Sequence, residues 1–306
     1  MKSIIIIGYG NQAQAWAHNL KDSGWEVSIA LRNKSFSITK ASGNFKTIEI
    51  SNIPDNSSVA ILTPDETHDS ILQKLENINC TIIYAHGHSL SSNQFNKKYS
   101  QHNHLLFAPK GIASAIRNNF IQNLPLAAVY SLEFSKNINQ DRSLIFELAS
   151  ALGIGNLFEA SFETETKADL FSEQTILCGV LPYMANLSFE KLREKGVSKE
   201  VAFLECWYEV KLIADVMVTL GPKKFFDLIS PNALYGSQLG KNILINESTL
   251  SALDELYNDI DSGKFDAKVK NVNMDEIRLQ VNNFWENKEL TQVHSEMAPK
   301  LFKGDL

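Results

Sequence analysis

The sequence predicts two fold classes in series: a parallel α/β domain over residues 1–160, then an all-helical domain over residues 161–306. Three observations carry this. Short apolar runs alternate with helical periodicities through the first half. A glycine-rich turn joins the first run to the first helix. Beyond Gly155 strand-like runs stop and long helical periodicities take over, which places the boundary at 155–162.

Residues 4–8 form the first buried strand, 11–23 a helix and 26–31 a second strand. VAILT at 59–63, TIIYA at 81–85 and LLFA at 105–108 read as further short strands, with helical segments such as 69–75 between them. That alternation argues for a parallel sheet covered on both faces. Helical periodicity then runs through 164–190, 198–220, 222–229, 248–262 and 274–286.

The balance of 44% apolar and 21% charged residues is that of a soluble globular protein. A net charge of −6, without a long run of Lys or Arg, weighs against a nucleic-acid or anionic-membrane partner. The opening apolar run is too short for a signal segment and ends in glycines. The longest apolar stretch, 175–185, is broken by Gly179 and Pro182, so no membrane span is expected. Cys80, Cys178 and Cys206 are odd in number, widely spaced and set among apolar residues; they predict buried, reduced thiols and a cytoplasmic location.

The turn after the first strand reads Gly8-Tyr9-Gly10-Asn11-Gln12-Ala13. Its first glycine permits the tight turn, and its second lets backbone approach a pyrophosphate at the helix N-terminus. Ala13 replaces the third glycine of this Rossmann-type pattern. A glycine turn with no ligand is the plain alternative. The second strand ends in Leu31-Arg32-Asn33-Lys34-Ser35-Phe36-Ser37, without the carboxylate that accepts from a free ribose hydroxyl. A guanidinium, an ammonium and hydroxyls suit a 2′-phosphate instead, so NADPH is the expected cofactor. A solvated basic loop is the bland counterpart.

Two acidic pairs lie in the helical half, Asp169 with Glu173 and Glu205 with Glu209. The i, i+4 spacing puts each pair on one helix face, among residues that read as core: Leu170, Phe171, Ile176, Leu177, Phe203, Leu204, Trp207, Val210, Leu212 and Ile213. Buried carboxylates need compensating charge, and four converging from two helices can hold a pair of divalent ions through hard oxygen ligands. Acids that simply face water are the alternative. His86-Gly87-His88 suggests a transition-metal pair, but no third ligand is evident nearby, so a turn with one functional histidine is expected.

With both halves read, the chain resembles ketol-acid reductoisomerase, the acetohydroxyacid isomeroreductase of valine and isoleucine biosynthesis, in its short form. The likeness rests on GYGNQAQAWAHNLKDSG, LRNKSFS, LTPDETHDSI, AHG at 85–87, APKG at 108–111, DLFSEQTILCG, FLECWYEVKLIAD and ISPNALYG. It implies that Arg32, Ser35 and Ser37 hold the 2′-phosphate of NADPH, with the loop from Gly8 to Gln12 and Pro64 and Asp65 also lining the cofactor. It implies two Mg2+ ions held by Asp169 and Glu173, with Asp169 bridging, and by Glu205 and Glu209 of a partner subunit. Ser230 matches the serine that contacts the substrate carboxylate. His86, Lys110 and Glu209 take the catalytic positions.

The implied reaction converts a 2-hydroxy-3-keto acid, 2-acetolactate or 2-aceto-2-hydroxybutyrate, to the 2,3-dihydroxy acid by alkyl migration and hydride transfer. The resemblance further implies a knotted helical domain and a homodimer with shared active sites, alone or within a larger assembly. Lys110 and Ser230 as ordinary loop residues are the bland readings.

The pattern breaks in places. After APKG the usual Pro-Gly-His becomes Ile112-Ala113-Ser114, and Asn123-Leu124-Pro125 replaces a Gly-x-Gly-Val-Pro turn. After His86-Gly87 the usual Phe-Asn-Ile becomes His88-Ser89-Leu90, and the double glycine after the first acidic pair is Gly179-Val180. Near the C-terminus DAKVKNVNMDEI replaces a tryptophan–glutamate stretch. Intact metal positions beside rewritten enclosure leave room for a relative acting on another 2-keto acid in secondary metabolism. A non-catalytic NADPH-binding protein is a third reading.

Overall fold

The computed structural model describes residues 2–302. The chain divides into two compact units, one ending at Ala168 and one beginning at Asp169. No helix among the described residues is long and apolar enough to cross a membrane.

The first unit is built on eight strands: β1 (Ser3–Ile7), β2 (Glu26–Leu31), β3 (Lys46–Glu49), β4 (Ser58–Ile61), β5 (Thr81–Tyr84), β6 (Asn103–Pro109), β7 (Ala127–Phe134) and β8 (Asn156–Glu159). They lie in the order β3-β2-β1-β4-β5-β6-β7-β8. The order reverses direction about β1, so the loops after β1 and β4 open a crevice at the carboxyl edge. In β1 the isoleucines alternate: Ile4 and Ile6 join the core layer that holds Trp16 and Leu20, while Ile7 joins the layer that holds Ile61 and Tyr84. Burial on both faces explains an unbroken apolar run.

Every strand pair is parallel except β6 and β7, which run antiparallel. The expected parallel sheet is present, with one antiparallel pair that the sequence does not mark, because a doubly buried run does not encode its direction. The strands β3, β7 and β8 also go unread in the sequence. The first and last are four-residue edge strands whose side chains are mostly exposed or half-exposed. The middle one, β7, mixes Ser131 and Glu133 into its apolar pattern. The rewritten segment after Gly111 forms a helix, Ala113–Gln122. It packs on the first helix, Asn11–Asp22, with Ile116 buried and Arg117 donating to Asn19 at 2.8 Å and to Asp22 at 2.7 Å.

Among the described residues of the second unit every element is helical. Its core gathers Phe189, Ala202, Phe203, Leu290 and Val293 from Leu181–Glu194, Lys199–Phe203 and Glu289–Leu301. The Arg193 guanidinium grips the Glu289 carboxylate with three contacts of 2.9–3.1 Å, joining two of these helices. Two stretches are π-helical, Glu173–Val180 and Leu204–Tyr208. Three helices escaped the periodicity reading. Pro231–Leu244 has Gly236 and Gly240 inside it, Lys264–Lys270 is short, and Glu289–Leu301 contains Pro299.

Many side chains read as core point outward in the single chain. Ile176, Leu177, Leu212 and Ile213 are exposed, as are Val180, Leu181, Met184 and Met217. A helical pattern marks an apolar face but not what covers it. The expectation of three buried thiols is corrected on the same ground: Cys80 is buried, Cys206 is half-buried and Cys178 is exposed.

Candidate active site

The crevice beside β1 is walled on one side by the glycine turn. Gly8 has φ +100°, and a Cβ there would sit 2.7 Å from both the Leu62 carbonyl oxygen and the Thr63 methyl. Only glycine lets the turn after β1 lie against the loop after β4. Gly10 precedes the helix Asn11–Asp22, has no side-chain cap and faces open space, which leaves room for a phosphate at that N-terminus. Gly8, Tyr9 and Gly10 line the cavity, with Arg32, Ser35 and Ser37 from the loop after β2 and Pro64 from the loop after β4. Lys34 bends that second loop with φ +62°, and the Ser37 backbone N–H donates to Ser35 Oγ at 3.3 Å. Asn11 and Gln12 begin the helix. Thr67, Ser70 and Lys74 form the opposite wall and went unread; their three- and four-residue spacing along one short helical segment was the available signal. The donor set fits a dinucleotide bearing a 2′-phosphate.

A second group lies at the ends of β5 and β6. Glu165, with a side chain 1% exposed, accepts from the Gly87 backbone N–H at 2.9 Å and from Lys110 Nζ at 2.9 Å. His86 Nδ1 lies 3.5 Å from the same carboxylate. Burial pushes the Glu165 carboxyl up, but His86 and Lys110 outweigh it and hold the group below its ordinary value. Gly87 is required sterically: a Cβ there would sit 2.5 Å from Thr166 Oγ1 and 2.8 Å from the Phe162 carbonyl oxygen. The predicted pair His86 and Lys110 is thus brought together by a residue the sequence reading passed over. Glu165, Asp169 and Glu173 recur at intervals of four along one helical stretch, and that extension of the acidic spacing was the signal.

The acidic pairs depart from the expectation of a buried cluster. Asp169 is half-buried at the end of Phe162–Ser172, whereas Glu173, Glu205 and Glu209 are exposed. Glu173 opens the first π-helical stretch, Glu205 lies inside the second, and Glu209 directly follows it. Gly179 belongs to that first stretch: a Cβ there would lie 2.0 Å from the Gln174 carbonyl oxygen, five residues earlier. Among the described residues the two pairs are not drawn into one ligand cluster within the chain. Their burial is corrected because the apolar neighbours are themselves uncovered in one copy.

Ser230 caps the helix Pro231–Leu244, its hydroxyl accepting from the Ala233 N–H at 3.2 Å. The histidine turn has a third ligand-bearing group beside it. Asp65 supplies the third polar group missing from the sequence reading, with Oδ2 3.2 Å from His88 Nδ1. Asp65 stands outside the cofactor cavity's lining, where Pro64 and Thr67 on either side of it are found.

Comparison with known proteins adds an independent line. Residues 1–157 match the model of the acetohydroxy acid isomeroreductase NADPH-binding domain, and residues 162–300 match the ketol-acid reductoisomerase C-terminal domain. A ketol-acid reductoisomerase (NADP(+)) of Psychrobacter sp. is 33% identical over 272 residues, covering 86% of this chain and 80% of its own. The enzyme of that name from Helicobacter acinonychis is 35% identical over 240 residues, covering 76% and 72%. Among solved structures, an NADH-preferring ketol-acid reductoisomerase from an uncultured archaeon superposes with a TM-score of 0.80 at 26% identity, covering 99% of this chain and 95% of that one.

Proposed function

The chain belongs to the ketol-acid reductoisomerase family of NADP-linked oxidoreductases, and from that premise we propose a Mg2+-dependent, NADPH-using ketol-acid reductoisomerase of the cytoplasm. Its substrates are 2-acetolactate and 2-aceto-2-hydroxybutyrate, and its place is in branched-chain amino-acid biosynthesis. The observation that carries this reading is the Glu165 carboxylate, which gathers Lys110, His86 and the Gly87 N–H in the unit that also holds the dinucleotide cavity.

Asp169 and Glu173 of one subunit, with Glu205 and Glu209 of a second, would hold two Mg2+ ions that supply Lewis-acid polarisation of the substrate's oxygens. The hard-oxygen donor set fits Mg2+, and its division into two separate pairs fits a site completed by a second copy. A bound NADPH supplies the hydride.

This chain's own groups set the conditions for that chemistry. Lys110 donates to the Glu165 carboxylate at 2.9 Å, which fixes where its ammonium sits. Its ammonium, placed at the end of β6, can stabilise an oxygen that gains negative charge. His86, held near the same carboxylate, can relay a proton at the mouth of β5. Arg32, Ser35 and Ser37 hold the adenosine end of the cofactor. Ser230 is proposed to release its cap and turn to the substrate carboxylate.

The exposed apolar side chains of the helical unit support the homodimer, since they are too many for a stable free surface. A same-family enzyme with a different 2-keto acid is favoured by one observation only: Ile112, directly after the Lys110-Gly111 turn, is 76% exposed at the start of the rewritten helix.

The test follows NADPH oxidation with and without Mg2+, supplying 2-acetolactate and, separately, 3-hydroxy-3-methyl-2-oxobutyrate. Mg2+-dependent oxidation with both is expected. Oxidation with the second alone removes the isomerase half, and silence with both, from folded protein that binds NADPH, overturns the reading.

A further inference from the structure

The strands β4 and β5 pair in parallel from Ser58↔Thr81 to Ile61↔Tyr84, so the loops that leave them emerge side by side. One loop carries Asp65, the other His86 and His88. One ligand atom from each of the three lies within 4.8 Å of the others. Asp65 Oδ2 is 3.2 Å from His88 Nδ1, and the rings of His86 and His88 stack with centroids 5.9 Å apart at 19°.

Nothing in the proposed reaction uses His88. We propose that Asp65, His86 and His88 form an additional divalent-metal site, adjoining the Glu165 group through His86, which takes an ion of the Zn2+, Co2+ or Ni2+ class and not Mg2+.

The ligand chemistry decides the class. Two imidazole nitrogens and one carboxylate suit borderline transition ions, whereas Mg2+ requires an oxygen shell. Three protein ligands leave further positions for water, as in open metal sites. Asp65 Oδ2 already lies 3.2 Å from His88 Nδ1, so the carboxylate faces the imidazole it would share an ion with.

His68 stands 3.8 Å from Asp65 and does not compete as a ligand. Its Nε2–H donates to the Thr63 carbonyl at 2.9 Å, so its Nδ1 accepts from the Ser89 hydroxyl at 2.7 Å, and both nitrogens are engaged. It braces the loop that presents Asp65, in the way an outer shell orients a ligand.

Occupancy has a consequence for the enzyme. A metal ion held by His86 draws that imidazole away from Glu165, which lies 3.5 Å from its Nδ1. Micromolar Zn2+ should therefore inhibit the Mg2+-supported reaction. The metal site rests on its geometry alone; the inhibition also rests on the reductoisomerase reading.

The experiment is a Co2+ titration of metal-free protein with Mg2+ kept in large excess, read by visible absorption and by bound metal per chain. Wild type is expected to take one equivalent with nitrogen-ligand bands. The variant His88→Phe should bind about 100-fold more weakly or not at all, with unchanged circular dichroism and unchanged Mg2+-supported turnover. His88→Gln should weaken binding in the same direction, and Zn2+ should inhibit wild type but spare His88→Phe. Equal Co2+ affinity in wild type and a folded His88→Phe, or no Co2+ bound by wild type, overturns the proposal. Co2+ binding lost in His88→Phe, from protein that turns over no ketol acid, keeps the metal site and removes the reductoisomerase reading instead.

Discussion

At Glu165 an almost fully buried carboxylate accepts from a lysine and a backbone N–H and faces a histidine, so one side chain fixes the end of β5 against the end of β6. Glu165→Gln keeps the shape but replaces one acceptor with a donor facing Lys110 or the Gly87 N–H. Turnover should fall by about 100-fold while NADPH affinity, measured by fluorescence titration, holds. An unchanged kcat would remove Glu165 from the positioning of Lys110.

Other buried histidines govern stability. His104 donates from Nε2 to the Tyr99 carbonyl and accepts at Nδ1 from the Tyr84 hydroxyl, and His102 accepts from the Cys80 N–H. Burial pulls both down to about 4, and His68 is lowered for the same reason. A lowered folded value means that the unfolded chain binds more protons between about pH 4 and the ordinary histidine value of about 6.5. Stability is therefore full above that window and falls as pH drops through it, by up to about 1.4 kcal/mol per pH unit for each histidine. Thermal unfolding at pH 7 and pH 5 should show a clear loss of Tm at the lower value; a flat profile would contradict neutral burial.

Elements explain why some motifs were readable in the sequence and others were not. The glycine turn was readable because Gly8 answers a steric demand that leaves a residue-level mark. Arg32, Ser35 and Ser37 were readable as a group because they follow one strand end, and all three line the same cavity, where they are proposed to hold a 2′-phosphate. Arg32→Ala should raise the KM for NADPH by about 10-fold and leave that for NADH nearly unchanged, as steady-state kinetics can read. Glu165 was hidden because its partners Gly87 and Lys110 lie 78 and 55 residues away in sequence. The π-helical stretches were hidden because an i, i+4 pattern does not separate α from π winding. Gly179 is the one residue-level trace of the first stretch. Gly179→Ala forces a Cβ against the Gln174 carbonyl oxygen, so the Mg2+ concentration for half-activation should rise by about 10-fold while helical circular dichroism persists.

For the whole molecule, the division into an α/β unit and a helical unit was apparent because strand alternation simply ceases. The burial of the helical unit was not, because its apolar faces are defined by what a single chain does not contain. Exposed Leu177, Met184, Leu212 and Met217 accompany acidic pairs that do not meet within one copy. Both facts are what the proposed site, shared between two subunits, requires of a single copy.

Complementation between two inactive variants distinguishes a shared site from one built within a single subunit. Asp169→Asn and Glu209→Gln each abolish Mg2+-dependent oxidation of NADPH with 2-acetolactate when homodimeric. Unfolded and refolded together, they form hybrids in which one of the two sites carries only native ligands. With random pairing the mixture should recover about a quarter of wild-type activity. Recovery at that level establishes a site shared between subunits, whereas a mixture as inactive as its parents, from protein that assembles normally, contradicts it.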